Sequence, residues 1–208
     1  MSLAMNPKNT SVLYAGTGGF WGGNFYKSSD GGLHWNKTPT DSLRDGVVSI
    51  AIDPVDTSVV YAGTADRGIL WKSIDAGNTW FRTGLGETGY LIYDILINFC
   101  HPYELYTGLK GIFKTEDGGL TWENFSQGLP EDCSVMKIQE SNPSRLFLVG
   151  TFGDDGGIYE YLVDQSQWIR IGIDTVHVSY YYSDLRLISN PDKLYFGGKG
   201  IYVMNLNK

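Results

Sequence analysis

The sequence predicts an all-β fold, a β-propeller of five repeats of about 46 residues, each a four-stranded antiparallel blade and the last one incomplete. Two phrases carry this prediction: a proline-containing turn written five times and a nine-residue box written three times. No segment has apolar residues at helical spacing. Gly supplies 27 of 208 residues and aromatics 14%, a composition typical of turn-rich β proteins.

The first phrase is a turn followed by a strand. It reads NPKNTSVLYAGT, DPVDTSVVYAGT, HPYELYTG, NPSRLFLVGT and NPDKLYFGG. The prolines step by 47, 48, 41 and 48 residues, at Pro7, Pro54, Pro102, Pro143 and Pro191. Asn, Asp or His before Pro presets a turn, and a short apolar run precedes each one. Every repeat is therefore expected to open with strand, turn and strand.

A Gly-rich link, a third strand, a turn and a Trp-led fourth strand complete the first four repeats. The predicted blades cover approximately 2–38, 47–83, 91–126, 134–171 and 184–208, in a single domain. The fifth ends after its third strand, GIYVMNLNK. Either five blades close a ring, which we favour, or the chain is part of a larger ring with two open blade faces. A β-sandwich or solenoid is the rival architecture.

The second phrase reads KSSDGGLHW at 27–35, KSIDAGNTW at 72–80 and KTEDGGLTW at 114–122. Asp and Ser/Thr side chains in a turn accept hydrogen bonds from backbone N–H groups, Gly supplies a positive φ, and Trp covers apolar surface. We therefore expect structural fasteners rather than ligand contacts. The box residues are Ser28, Asp30, Gly32, Trp35, Ser73, Asp75, Gly77, Trp80, Thr115, Asp117, Gly119 and Trp122.

The pattern S-x-D-x-G-x-[TH]-W is similar to the Asp box, or BNR repeat, of sialidases, xyloglucanase-type glycoside hydrolases, sortilin-like receptors and the photosystem II assembly factor. Repeats one to three carry it, repeat four keeps only Trp168, and repeat five has none. The resemblance implies a propeller whose boxes lie on the face opposite the active site. It implies fold better than function, and it alone favours an extracytoplasmic location.

The opposite rim, formed by the loops from fourth to first strands and from second to third strands, is the expected binding face. Its composition is rich in carboxylates and aromatics, which suits a carbohydrate or a peptide, although solvated acidic loops would look the same. The expected rim residues are Trp21, Arg44, Asp45, Asp66, Arg67, Tyr90, Phe152, Asp154, Asp155, Tyr181 and Asp184, with Glu87, Lys110 and Asp132 among their neighbours.

Catalytic signatures are incomplete. A sialidase-like site needs three converging arginines and a Phe/Tyr-Arg-Ile-Pro segment, which this sequence lacks. A xyloglucanase-like site needs two opposed Asp residues between two propellers, and 208 residues supply one. We therefore lean towards a non-catalytic module that binds a glycan or protein partner. The alternatives are a glycoside hydrolase, or a fragment of one, and an assembly scaffold.

Charge and residue usage exclude other classes. A net charge of -7 disfavours nucleic acid, and no apolar stretch reaches the length of a membrane helix, so we expect a soluble chain. The three histidines lack ligand spacing, and no metal or cofactor is expected. Cys100 and Cys133 are expected at opposite rims, too far apart for a disulfide. The oligomeric state and the ligand are left open.

Overall fold

The computed structural model shows nineteen strands and describes residues 1–18, 22–38, 43, 45–141, 145–152, 155–171, 184–187, 193–197 and 201–205. The strands are β1 Ser2–Met5, β2 Leu13–Gly16, β3 Phe25–Ser28, β4 Asn36–Lys37, β5 Val47–Ile52, β6 Val60–Thr64, β7 Ile69–Ser73, β8 Phe81–Glu87, β9 Asp94–Ile97, β10 Leu105–Leu109, β11 Gly111–Thr115, β12 Glu123–Asn124, β13 Ser134–Ser141, β14 Arg145–Phe152, β15 Asp155–Leu162, β16 Gln167–Arg170, β17 Asp184–Leu187, β18 Lys193–Gly197 and β19 Ile201–Asn205.

Consecutive strands form five separate sheets, as the repeat length predicts. Four sheets have four strands, in the orders β1-β2-β3-β4, β5-β6-β7-β8, β9-β10-β11-β12 and β13-β14-β15-β16. Within the described residues the fifth sheet has three strands, β17-β18-β19. Sequence neighbours pair antiparallel, with Tyr14 opposite Lys27 and Tyr61 opposite Lys72. The all-β class with four-stranded antiparallel sheets is confirmed.

The chain divides into two compact units. The first comprises Met1–Thr107 and Lys114–Glu123, and the second comprises Gly108–Phe113 and Asn124–Lys208. The first unit contains the first two sheets, the three boxes and most of the described rim. No helix among the described residues is long and apolar enough to cross a membrane.

In the first three sheets, the turn between the first and second strands is closed by an Asx side chain. The Asn6 carboxamide oxygen accepts hydrogen bonds from the next backbone N–H groups at 2.9 and 3.0 Å. Asp53 does the same at 2.7 and 2.9 Å. In the third sheet the closing residue is Asn98, not His101, at 2.9 and 3.1 Å. Pro102 lies in this turn between β9 and β10, as the sequence predicts, but the side chain that closes the turn comes earlier in the chain.

The core of the first unit lies between the first and second sheets. Tyr14, Phe25, Leu43, Val47, Val60, Ala62, Ile69 and Trp71 are buried in one cluster, against which Val12, Ile50, Ile52 and Trp80 pack. Phe25 stacks on Tyr14 at 5.6 Å between ring centroids and meets the edge of Trp80 at 4.9 Å. The aromatic residues at the repeated positions therefore hold one sheet against the next.

A Tyr and a Lys from one sheet also donate hydrogen bonds to the box of the following sheet. The Tyr14 hydroxyl and the Lys27 ammonium donate to the carbonyl of Ala76, at 3.1 and 2.9 Å. Tyr61 and Lys72 donate in the same way to Gly118, at 3.1 and 2.8 Å. Each ammonium also lies over its tyrosine ring, at 5.6 and 5.3 Å from the centroid. We call each such pair a Tyr–Lys clamp.

Candidate functional site: a charged rim

Three loops of the first unit meet along the predicted rim. The loop before β5 bonds to the loop after β6, through Ala65 N–H to Gly46 at 2.9 Å and Asp66 N–H to Asp45 at 3.3 Å. The loop after β8 bonds to the same region, through Gly89 N–H to Arg67 at 3.1 Å. Because the strands are antiparallel, these loops lie at one end of the strands, and the Asx turns and boxes lie at the opposite end. We call these two ends the edges of the sheets.

Arg67 is the centre of the described rim. Its guanidinium binds Asp45 at 2.8 Å and lies 3.6 Å from Glu87. Arg82 binds Glu87 at 2.8 Å and stacks over Trp71, with 5.4 Å from its Cζ to the ring centroid. Exposed ion pairs of this kind add about 0–1 kcal/mol to stability. A gain in stability therefore does not explain why these four charged side chains lie together. They can instead contribute to ligand binding.

An aromatic side chain lies on the same edge of the sheet. Tyr90 is 47% exposed and follows β8, near a turn in which the Thr88 hydroxyl donates to the carbonyls of Gly68 and Tyr90 at 3.0 Å. Asp66 is exposed beside Arg67. We call Asp45, Asp66, Arg67, Glu87 and Tyr90 the rim cluster. It combines hydrogen-bonding groups with an aromatic face.

The second unit carries other residues predicted for the rim. Lys110 binds Asp132 at 2.6 Å. Phe152 is 48% exposed at the end of β14, directly opposite Asp155 in the register of β14 and β15. Asp184 begins β17 opposite Gly197. The remaining predicted residues lie outside those that the structure describes, namely Trp21, Arg44, Asp154 and Tyr181.

The boxes occupy the other edge, and their polar groups bind one another. The Ser73 hydroxyl donates to Asp75 at 2.8 Å and accepts from the Gly77 N–H at 2.8 Å. The Asp75 carboxylate accepts from the N–H and hydroxyl of Thr79 at 2.8 and 2.6 Å. The Trp80 indole donates to the Gly77 carbonyl at 3.0 Å.

The other two boxes repeat this arrangement. In the first, His34 replaces the threonine, and its ring nitrogen Nδ1 lies 2.7 Å from Asp30. In the third, Thr115 replaces the serine and donates to Asp117 at 2.7 Å. The glycine two residues after the box aspartate has φ of 91°, 86° or 95°, at Gly32, Gly77 and Gly119. That left-handed conformation explains the glycine.

These hydrogen bonds lower the pKa of the box carboxyls. The backbone N–H and ring of His34 hold the pKa of Asp30 at about 2. The hydroxyl and N–H of Thr79 hold that of Asp75 at about 2. The Thr121 hydroxyl and N–H lower the pKa of Asp117 further below its ordinary value. The carboxylates are thus strong acceptors already engaged by their own turns, not proton donors for catalysis near neutral pH.

A shallow apolar depression of about 340 Å³ lies on the box side, where the inner strands of the first unit run into their Asx turns. Its lining has no charged side chain and consists of Ala4, Met5, Pro7, Ala51, Ile52, Pro54, Ile97 and Phe99. Pro7, Pro54 and Phe99 each follow an Asx residue. It has no polar side chain to orient a sugar.

Metal chemistry finds no support in the described part of the chain, where no group of three or more His, Cys, Asp or Glu side chains could hold an ion. Two described arginines of the second unit form contacts within that unit. Arg145 binds Glu160 at 2.6 Å, and Arg170 donates to the Gly156 carbonyl at 2.9 Å.

The sequence interpretation missed the part that Arg82 plays at the rim. Arg82 is not among the rim residues that the sequence predicts. The fourth strand of the second sheet continues to Glu87, beyond the predicted end of the blade at 83, and a register shift between Ile69 and Trp71 accommodates the extra residues. Glu87 therefore reaches back to Arg82. The sequence feature that could have indicated this longer strand is the glycine-rich stretch TGLGETG directly after Arg82.

Solved structures share this architecture at low sequence identity. The Niastella koreensis GH74 enzyme matches with a TM-score of 0.77 at 18% identity, over 97% of this chain and 37% of that one. The GH74 xyloglucanase from Xanthomonas campestris matches with a TM-score of 0.70 at 17% identity, over 98% and 38%. YCF48 bound to D1 peptide matches with a TM-score of 0.56 at 12% identity, over 100% and 78%.

The chain has a propeller-like fold. At these identities the likeness shows the fold alone, and the chain spans little more than a third of the length of the two GH74 enzymes. No protein-family model matches the sequence, and comparison with curated proteins gives no match.

Proposed function

We propose that this chain is an Asp-box β-propeller module of five blades that binds a glycan or protein partner through its rim and performs no catalysis. The observation that carries the proposal is the contrast between the two edges of the sheets. Box polar groups are bonded within their own turns, whereas Arg67, Glu87 and Tyr90 of the rim cluster are each about half exposed to solvent.

The rim cluster fits hydroxyl-rich or peptide ligands. Asp45 is mostly buried and anchors Arg67, which is half exposed and keeps part of its guanidinium towards solvent. A fixed arginine between two carboxylates can donate to a carbonyl or hydroxyl, while Glu87 and Asp66 accept from hydroxyls or amides. Tyr90 adds an aromatic face for a sugar ring or an apolar side chain. The other rim residues of the sequence prediction stay a prediction.

A glycoside hydrolase fragment is the alternative, favoured by the likeness to GH74 enzymes. Hydrolysis of a glycosidic bond would need two carboxyls flanking it, one with a raised pKa. At the described rim, Asp45 and Glu87 both bind arginines. An assembly scaffold is a further alternative, since one protein of similar fold is seen bound to a peptide.

Binding and turnover assays separate these functions. The full chain is applied to a glycan array and a peptide array, and in parallel incubated with fluorogenic glycosides. The proposal expects binding without hydrolysis. Arg67→Ala and Tyr90→Ala weaken binding about tenfold or more, whereas Leu120→Ala, an exposed change at the third box, leaves it unaltered. Hydrolysis that is lost when a rim carboxylate is replaced would establish the hydrolase instead.

A further inference from the structure

We propose that the rim binds a carboxylate of an acidic peptide, and that this carboxylate takes the place of the Glu87 side chain between Arg67 and Arg82. The inference rests on the proposed function, because it names the ligand class of the same rim. It adds Arg82 to the residues that bind the ligand. Glu87 competes with the ligand for both arginines and, once displaced, can accept a hydrogen bond from a peptide amide.

One carboxylate oxygen of Glu87 lies between two guanidinium groups. Nη1 of Arg82 donates to Oε1 of Glu87 at 2.8 Å. Nη1 of Arg67 lies 3.6 Å from the same oxygen, which is farther than a hydrogen bond reaches. Arg67 therefore has a donor that points towards a carboxylate without being fully used by it. The arrangement is one that a better-placed carboxylate can bridge.

Other contacts than Glu87 hold both guanidinium groups in place. Nε and Nη2 of Arg67 bind Oδ2 of Asp45 at 2.9 and 2.8 Å, and the Asp45 side chain is only 13% exposed. Arg82 lies over the ring of Trp71, which is buried. Both arginines therefore keep their positions when Glu87 turns away. Donors that are already in place bind a ligand with little loss of conformational freedom.

Glu87 can leave its position without a change in the sheet. It is the last residue of β8, and its side chain is 46% exposed. Rotation about its side-chain bonds moves the carboxylate into solvent while the backbone stays paired. An ion pair as exposed as this one contributes little to stability. Exchange of Glu87 for a carboxylate of the ligand therefore costs little free energy.

Charge balance and the observed occupant indicate the class of ligand. Asp45, Arg67, Arg82 and Glu87 are neutral as a group, so displacement of Glu87 leaves one net positive charge, which one carboxylate neutralises. The group seen between the arginines is itself a carboxylate of a polypeptide, which favours an acidic peptide over an acidic sugar. Tyr90, half exposed at the same edge, offers an aromatic face to a neighbouring side chain of the peptide.

The test uses the full chain, isotope-labelled for NMR, at about 0.15 M salt, where charges more than about 8 Å apart are largely screened. The probes are a short capped peptide with one glutamate among glycines, the same peptide with glutamine, an all-glycine peptide with a free C-terminal carboxylate, and methyl glucuronide. We expect the glutamate peptide to shift the Nε–H signals of Arg67 and Arg82 with a Kd of about 1 to 10 mM. The glutamine peptide should bind about tenfold more weakly.

Variants of the chain test the competition directly. Glu87→Gln removes the competing carboxylate and should tighten binding of the glutamate peptide about threefold or more. Arg82→Gln should weaken it about tenfold. The matched control is Glu116→Gln, which makes the same change of charge at an exposed glutamate that binds Lys114 in the third box. This control should leave the Kd unchanged.

Four results would overturn the inference. These are an absence of shifts at about 10 mM glutamate peptide, equal binding of the glutamate and glutamine peptides, an unchanged Kd in Glu87→Gln, and tighter binding of methyl glucuronide than of either peptide carboxylate. The all-glycine peptide distinguishes the two sources within the proposal, since tighter binding of this probe identifies a C-terminus rather than a side chain. The proposed function fails separately, if ligands from the arrays bind the Arg67→Ala and Tyr90→Ala variants as tightly as the unaltered chain.

Discussion

Two tryptophans at the same place in the box, Trp35 and Trp80, offer a matched test of what the box stabilises. In both, the indole N–H donates to a box carbonyl at 3.0 Å. Trp80 is also half buried against the first sheet, where its ring meets Phe25. Trp35 has no such neighbour among the described residues and is 37% exposed. Replacing each by alanine therefore separates the local turn from packing between sheets.

We expect Trp80→Ala to lower the free energy of unfolding by about 3 to 5 kcal/mol, within the range for a large aromatic removed from a packed site. Trp35→Ala should cost about 1 to 2 kcal/mol, chiefly the local hydrogen bond and ring contact. The difference of roughly 1 to 4 kcal/mol combines about 0.5–1.5 kcal/mol for the aromatic pair with the extra apolar area buried at ~25 cal/mol per Å².

Urea unfolding followed by far-UV circular dichroism measures both variants without relying on tryptophan emission. The chain has two compact units, so the midpoints and slopes of each transition are compared rather than one global fit. Equal losses for the two variants would refute the claim that the second box fastens neighbouring sheets. A larger loss for Trp35→Ala would contradict it more strongly.

Three further outcomes follow. Ser73→Ala should cost about 1 to 3 kcal/mol in urea unfolding, because it leaves the buried Gly77 N–H without its acceptor, while Ser73→Thr is tolerated since Thr115 does the same work in the third box. Thermal melting between pH 2 and 6 should show a melting temperature that is highest above about pH 4 and falls as the pH drops towards 2. The reason is that the pKa values of Asp30 and Asp75 are depressed to about 2 in the fold and return to about 4 on unfolding. An Asp75→Asn variant whose melting temperature falls just as steeply in acid would argue against this. A thiol reagent at neutral pH should modify Cys100 at once and Cys133 only after unfolding, since Cys133 is 2% exposed and burial raises its pKa to about 11.

The repeats predicted the sheets, because local features dictate them. Asx turns, glycines of positive φ and alternating strands act over a few residues, so Asp53, Gly77 and Val60–Thr64 can be interpreted directly from the sequence. Pro102 lies in the third turn as predicted, but the Asx side chain that closes this turn is Asn98, which has no proline directly after it to mark it in the sequence.

Long-range contacts could not be predicted from the repeats. Tyr61 and Lys72 lie 57 and 46 residues before Gly118, whose carbonyl they bind. No local sequence feature near either residue predicts that acceptor. Trp35 and Trp80 occupy identical motifs but differ in burial because their neighbouring sheets differ. The rim was predicted from topology, and the pairing of Arg67 with Asp45 agrees with that topology. Which charged side chains of the rim pair with one another could not be predicted, because it depends on a register shift in β8.

We propose that the boxes stabilise the sheets at one edge and that the rim binds the ligand at the other. Chemical-shift mapping of the full chain with the ligand obtained from the array screens tests this most directly. The account predicts that the shifted signals belong to the loops around Asp45, Arg67 and Tyr90, while the amides of 73–80 and 115–122 stay in place. Shifts concentrated in the second and third boxes, with the rim unchanged, would contradict it.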